Sequence, residues 1–350
     1  MIIKDYQTPS TVLIISLTIN DEFFLKHHIG GLSCNYLAYM VLNVTLPSNS
    51  GRMEIPMDGM IIQDPSKQKL PTMVVAFAGW PDAAEAATRA IRYMVRKLPT
   101  KKLAEIDPEE FYDFTINRPQ IRVNRRKKRS IKWPTNEFYS YIPKDMPENG
   151  LLLYIGTEPN LKWKTFSKTI LRMAESVGVE MIISLGSLLD AVPHTREVRI
   201  SGRASNKELN EKARWLGIQT SGYQGPTGIH SAFAEMCTES KIPHANIWSH
   251  CPHYVQTSPN PIASYALLQR LTSLVNLEVD TKELELAGEA FQTEVTKAIK
   301  KQPDVTSYVS KLENQYDRSK TDTQEMPTGP DMVHEIEEFL KSQSGGQENK

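Results

Sequence analysis

Glu158, Asp190, His194 and Arg196 are the side chains of this 350-residue sequence whose types and spacing suggest chemistry. The last three lie in residues 186–202, GSLLDAVPHTREVRISG, where the apolar run 179–185 (VEMIISL) gives way to small and polar residues. A carboxylate there, Glu158 or Asp190, can move protons, and Arg196 can hold an anionic group. Glu158 and Asn160 follow a second apolar run, 151–155, and meet Asp190 and Arg196 if the two runs are neighbouring strands of a parallel sheet. Gly225-Pro226-Thr227-Gly228, ahead of a helix, offers backbone N–H groups to a carboxylate or phosphate. Gly79-Trp80-Pro81-Asp82 is a further turn of this kind. Each feature also has a plainer reading. Glu158 and Asp190 can cap, His194 can be a hydrogen-bonded surface ring, Arg196 a solvated charge and GPTG a tight turn. For Asp82 the N-cap role is favoured.

Ligands of open α/β sheets sit outside the carboxyl ends of strands, so these turns require strands ending at one rim. Residues 72–78, TMVVAFA, form a buried strand feeding the helix AAEAATRAIRYMVRKL; 151–155 and 179–185 are further buried strands. A helix opens at Trp163 and runs to Gly178, and another, NKELNEKARWLG, closes at Gly217. Alternation over 112–116 and 120–123 predicts antiparallel strands, with the basic run 125–129 as a solvated hairpin tip. IQTSGY is strand-like and precedes GPTG and the helix SAFAEMCTESK. Residues 242–255 read as a strand carrying His244, His250, Cys251 and His253, whose neighbours alternate between faces, so a shared metal is disfavoured. After Pro259-Asn260-Pro261 comes the periodic helix IASYALLQRLTSLV, then one acidic helix from 278 to about 316. A polar linker, 317–329, leads to a short segment with Val333, Ile336, Phe339 and Leu340 on one stripe.

With 40% hydrophobic residues and formal net charge zero, the chain can bury a large core and carries no overall bias toward nucleic acid or anionic membrane. Cys34, Cys237 and Cys251 show no CxxC spacing, which fits a reducing cytoplasm and neither a disulfide framework nor a zinc site. The apolar run 12–19 is about half a bilayer span. Residues 1–56 are expected to be an N-terminal extension, 57–316 the α/β domain, and 317–350 a linker with a short amphipathic helix.

Five stretches, AFAGWPDAAEAA, IGTEPNLKW, GSLLDAVPHTREVRISG, YQGPTGIHS and PHYVQTSPNPIASYALLQRL, resemble in order and spacing the prokaryotic members of the proteasome assembly chaperone 2 family. The resemblance covers roughly residues 58–315. It implies a three-layer α/β/α sandwich similar to the purine nucleoside phosphorylase fold, assembled into oligomers. Members are sometimes labelled carboxylate-amine ligases, yet neither GxGxxG nor GxxxxGK[ST] is present. Two functions stay open. One is an oligomeric protein-binding or assembly factor with a proteasome-like partner and no cofactor. The other is a small-molecule enzyme whose pocket, drawn from Gly79, Trp80, Asp82, Glu158, Asn160, Asp190, His194, Arg196, Gly225, Thr227 and Gly228, binds a small anion. The C-terminal end, GQENK, lacks the hydrophobic residue and penultimate tyrosine with which such chaperones dock on proteasomes.

Overall fold

The computed structural model describes residues 56–57, 60–62, 69–125, 127–220 and 222–321. In chain order its elements are β1 (Pro56–Met57), β2 (Met60–Ile62), β3 (Thr72–Ala78), α1 (Ala86–Lys97), β4 (Lys101–Ile106), β5 (Gln120–Val123), β6 (Arg129–Lys132), β7 (Glu137–Tyr141), β8 (Leu151–Thr157) and α2 (Trp163–Ser176). They continue with β9 (Met181–Asp190), β10 (Ile200–Ala204), α3 (Lys207–Trp215), β11 (Gln219–Thr220), α4 (Ile229–Glu239), β12 (His244–Pro252), α5 (Pro261–Val275), α6 (Lys282–Ile299) and α7 (Pro303–Thr321).

The side-chain period of two divides the core. Met73, Val75 and Phe77 of β3 pack with Phe166 and Ile170 of α2 and Phe233 and Met236 of α4 on one face of the sheet. Val74 and Ala76 pack with Ile91 and Met94 of α1 and Leu267 and Leu271 of α5 on the other. A strand buried on both faces must be apolar at every position, which is why TMVVAFA shows no alternation. Phe77 anchors the first face, its ring 5.4 Å from Tyr154, 5.3 Å from His230, 6.1 Å from Phe233 and 6.3 Å from Phe166. The result is the expected α/β/α sandwich around a ten-stranded mixed sheet in the order β1-β2-β4-β7-β8-β3-β9-β12-β10-β11.

Within it, β8, β3, β9 and β12 run parallel, so their carboxyl ends share one rim. Gly156 and Gly186 lie level with each other, each beside Phe77 of β3 or one step from it in register. Gly186 belongs to β9, which continues to Asp190, and is not at the strand exit. Its missing Cβ makes room for a ring: a methyl there would stand 2.6 Å from Trp248 of β12.

Three further expectations are corrected. Residues 112–116 form no strand: 114–116 are a turn, and the short alternation arises because Tyr112 turns into the core while Thr115 and Ile116 stay exposed. Residues 120–123 and 129–132 do pair as an antiparallel hairpin, β5–β6, with the basic run at its tip. The expected single acidic helix is two, broken at 300–302, where Pro303 opens α7. That helix runs through Asp317 to Thr321, taking up the start of the expected linker. The expectations for residues 1–55 and 322–350 lie outside the described residues. Among the described residues no helix is long and apolar enough to cross a membrane.

Candidate functional site

Gly79, at φ +118°, turns the chain sharply after β3 in a backbone region that favours glycine. The turn brings Trp80 beside Glu158, which follows β8, because β3 and β8 pair in register to Ala78 and Thr157. Glu158 accepts a hydrogen bond from the Ile229 N–H at 2.8 Å and another from the Trp80 backbone. Gly228 closes the corner: a methyl on it would lie 2.8 Å from Glu158 Oε1 and 3.0 Å from the Trp80 ring. Gly79, Trp80, Glu158 and Gly228 therefore do converge, though the parts come from three separate loops. Glu158 caps α4, not the helix that follows it in sequence. Burial pushes its carboxyl above the usual carboxylate value, against the two backbone donors.

Asp82 is almost fully buried and accepts from the Ala87 N–H at 2.8 Å, the Thr88 N–H at 3.3 Å, the Thr88 hydroxyl and, at 3.3 Å, the Ser187 hydroxyl. It caps α1 as expected, but across a 3-10 turn, residues Ala83–Glu85, with Ala84 and Glu85 at φ 50° and 53°. Its carboxyl is raised by burial, with the Thr88 and backbone bonds opposing. The positive ends of α1 and α4, where an external anion would be bound, thus each hold a carboxylate of the chain itself.

The remaining candidates go elsewhere. Asn160 accepts from the Asp113 N–H (3.1 Å) and the Asn117 amide (2.9 Å), pinning the 113–117 turns. His194 bonds Tyr254 through Nδ1 (2.8 Å) and Thr296 of α6 through Nε2 (3.1 Å), and burial lowers its pKa. Arg196 forms a bidentate pair with Asp317 of α7 (2.9 and 2.8 Å) and reaches Glu313 at 3.3 Å. Thr227 bonds only locally, to the Gly228 carbonyl, and Gly225 lies against Tyr223. Arg196 and the GPTG turn accordingly do not form one anion pocket.

Asp190 sits in a constellation the motif did not reveal. Its Oδ2 is 2.7 Å from His250 Nδ1, and His250 Nε2 is 2.8 Å from the Ser201 hydroxyl. Arg199 stands 3.7 Å away and the Ala191 N–H donates at 2.7 Å. Burial alone would raise the Asp190 carboxyl, but His250, Arg199 and Ala191 together hold it below the usual value. Carboxylate, imidazole and hydroxyl in a line is the order of a nucleophilic triad. Ser201, however, is 1% exposed, and the cavity beside His250 is about 20 Å³, room for one water. The three residues instead join β9, β12 and β10. The Asp190–His250 pairing was hidden because it joins residues 60 apart; only the register of β9 with β12 places them together.

A groove of about 330 Å³ opens between the 253–257 loop and the α6–α7 elbow, lined by Tyr254, Val255, Val295, Ile299 and Val305. None of Gly79, Trp80, Glu158 or Gly228 lines either recess. Among the described residues no group of three or more His, Cys, Asp or Glu is placed to hold a metal.

The PAC2 family model matches residues 76–299. A PAC2 family protein from Streptomyces avermitilis is 37% identical over 68% of this chain and 99% of its own, with TM-score 0.62. The chain belongs to the PAC2 family. A proteasome-assembly chaperone homologue from Mycobacterium tuberculosis is 35% identical with the same coverage and TM-score. An archaeal proteasome activator from Pyrococcus furiosus, 16% identical over 68% of this chain and 97% of its own with TM-score 0.56, shares the fold. No curated protein matches the chain.

The stretches IGTEPNLKW and YQGPTGIHS are joined by the hydrogen bond from the Ile229 N–H to Glu158. Gly228→Ala is expected to drive Glu158 off the Ile229 N–H and cost about 1 kcal/mol, the worth of a helix cap. Urea unfolding checks this in a cycle with Glu158→Ala, in whose presence the cost should largely vanish.

Proposed function

We propose that this protein is an oligomeric, cytoplasmic protein-binding or assembly factor of the proteasome-assembly-chaperone kind, with a proteasome-like partner. The observation that carries the reading is the internal pairing of the rim: Asp82 and Glu158 occupy the helix ends, and Arg196 is held by Asp317. Such a rim presents bonded polar groups and, between them, bare apolar ones. Trp80 is 62% exposed, Leu161 49% and Leu189 52%, all on turns or strand ends at that edge. Of these, Trp80 is the strongest contact candidate, because tryptophan is among the residues enriched at the energetic centres of protein interfaces. The 35% identity to a proteasome-assembly chaperone homologue supports the kind of partner. The alternative, an enzyme with a phosphorylase-like anion pocket, is not favoured because its proposed anion holders bond other parts of the chain.

Co-purification with proteasome α-subunits from the same source, quantified by titration, tests the proposal. Trp80→Ala should weaken the complex about 30-fold, a hot-spot loss near 2 kcal/mol, with the melting temperature unchanged. Absence of any complex, or equal affinity in the variant, would count against it.

A further inference from the structure

We infer that His230 makes the corner of Trp80, Glu158 and Gly228 an acid-released catch: on taking up a proton the imidazole leaves its place against the sheet, and the first turn of α4 opens with it. His230 is the second residue of α4 and 4% exposed, and neither of its ring nitrogens has a hydrogen-bond partner. The other four described histidines each bond at least one ring nitrogen. Its surroundings are aromatic. The ring stands at right angles to Phe77 of β3, centroids 5.3 Å apart, and lies 4.9 Å from Trp248 of β12. A phenyl ring would fill the same space without two unbonded polar atoms, so the imidazole lowers stability at neutral pH. What it adds is a place for a proton.

An imidazolium there has nothing to hold it. Phe77, Trp248 and, from α2, Phe166 and Ile170 carry no charge. Tyr154 of β8 and Cys237 of α4, on the same face of the sheet, are kept neutral by burial. His250, two residues beyond Trp248 on β12, is committed to Asp190 and Ser201. Glu158 is committed to the Ile229 N–H. Burial is the one cause acting on the His230 ring, and it lowers the pKa to about 3. Because the ring points from α4 onto β3, it reaches water by lifting the turn. Ile229 and Gly228 precede it on that turn, so the bond to Glu158 and the packing of Gly228 on Trp80 go with it.

The sign is fixed by the direction of the shift. A folded value of about 3 lies below the ordinary 6.5, so the stability of the closed turn is full above 6.5 and is lost as pH falls toward the folded value. Glu158 acts in the opposite sense, since burial raises its carboxyl and the closed corner takes that proton more readily. Proteins that share Glu158 share that effect, and their comparison isolates His230.

Native-state hydrogen exchange of the Ile229 amide in the full chain, followed from neutral pH to about pH 5 beside the amides of β3, tests the inference in the wild type, His230→Phe and His230→Leu. Corrected for intrinsic exchange, the opening constant at Ile229 should rise about 25-fold in the wild type, stay level in both variants and leave β3 unchanged. His194 and His244, also lowered by burial, are common to all three proteins and cancel. A flat wild-type profile, a rise shared by the variants, or an equal rise at β3, which would be unfolding of the whole sheet, would each overturn it. If neither variant folds, the wild-type contrast between Ile229 and β3 decides alone. The catch belongs to the corner itself, so failure of the α-subunit titration leaves it untouched.

Discussion

Asp190→Ala should lower the melting temperature by about 10 °C or more. The substitution takes the acceptor from the buried His250 Nδ1 and the Ala191 N–H and the counter-charge from the partly buried Arg199, a loss of about 3–5 kcal/mol for a broken buried network. For a domain of this size each kcal/mol moves the transition by roughly 2–4 °C. The pH dependence follows from the sign of the shift. Asp190 is held below its ordinary value of 3.8 by His250, Arg199 and Ala191 against the opposing effect of burial. Its contribution is present above that value and lost as pH falls through the lower folded one. The gap between wild type and variant, measured by urea unfolding, should therefore be full at neutral pH and narrow below pH 3.8. A constant gap across that window would show that packing, not charge, holds the three strands.

Asp82→Ala should cost about 3 kcal/mol, because one side chain takes the Ala87 N–H, the Thr88 N–H and the Thr88 hydroxyl at the start of α1. The lost cap on the Ala87 and Thr88 N–H groups accounts for about 1 kcal/mol and the orphaned, buried Thr88 hydroxyl for about 2. Asp82→Asn keeps the acceptor and should stay within about 1 kcal/mol of wild type. Here the sign reverses. Burial raises the folded carboxyl above 3.8, so the group's contribution is full below that value and fades as pH rises through the folded one. Relative to wild type, Asp82→Asn should gain stability between pH 4 and neutrality. Thermal melts across that range, run beside those of Asp190→Ala, separate the two carboxylates by the direction of change.

Strands were legible where burial on both faces removes alternation. TMVVAFA became β3 residue for residue, and LLLYI became the first five residues of β8, all buried. Helices were legible from periodicity and their caps: Asn206 caps α3, and Asn260 caps α5 with Pro261 at its start. The break before α7 was written in Gln302-Pro303, but the acidic pattern continues across it and masked the proline. The partners of the site residues were not legible. Glu158 reaches a donor 71 residues on, Arg196 an acceptor 121 residues on. Local spacing carries no record of such pairs; strand order and register create them. The same residue types that suggest catalysis also suit capping and strand bracing, and only the geometry of the partners decides between the two.

The rim is most directly probed by thermal melts of the purified full chain titrated with inorganic phosphate, purine nucleosides and nucleotides at matched ionic strength. With Asp82, Glu158 and Arg196 already bonded within the protein, the melting temperature should stay constant throughout. A rise of several degrees for one compound, saturating with concentration and lost in Glu158→Gln, would mean that the corner takes a small ligand after all.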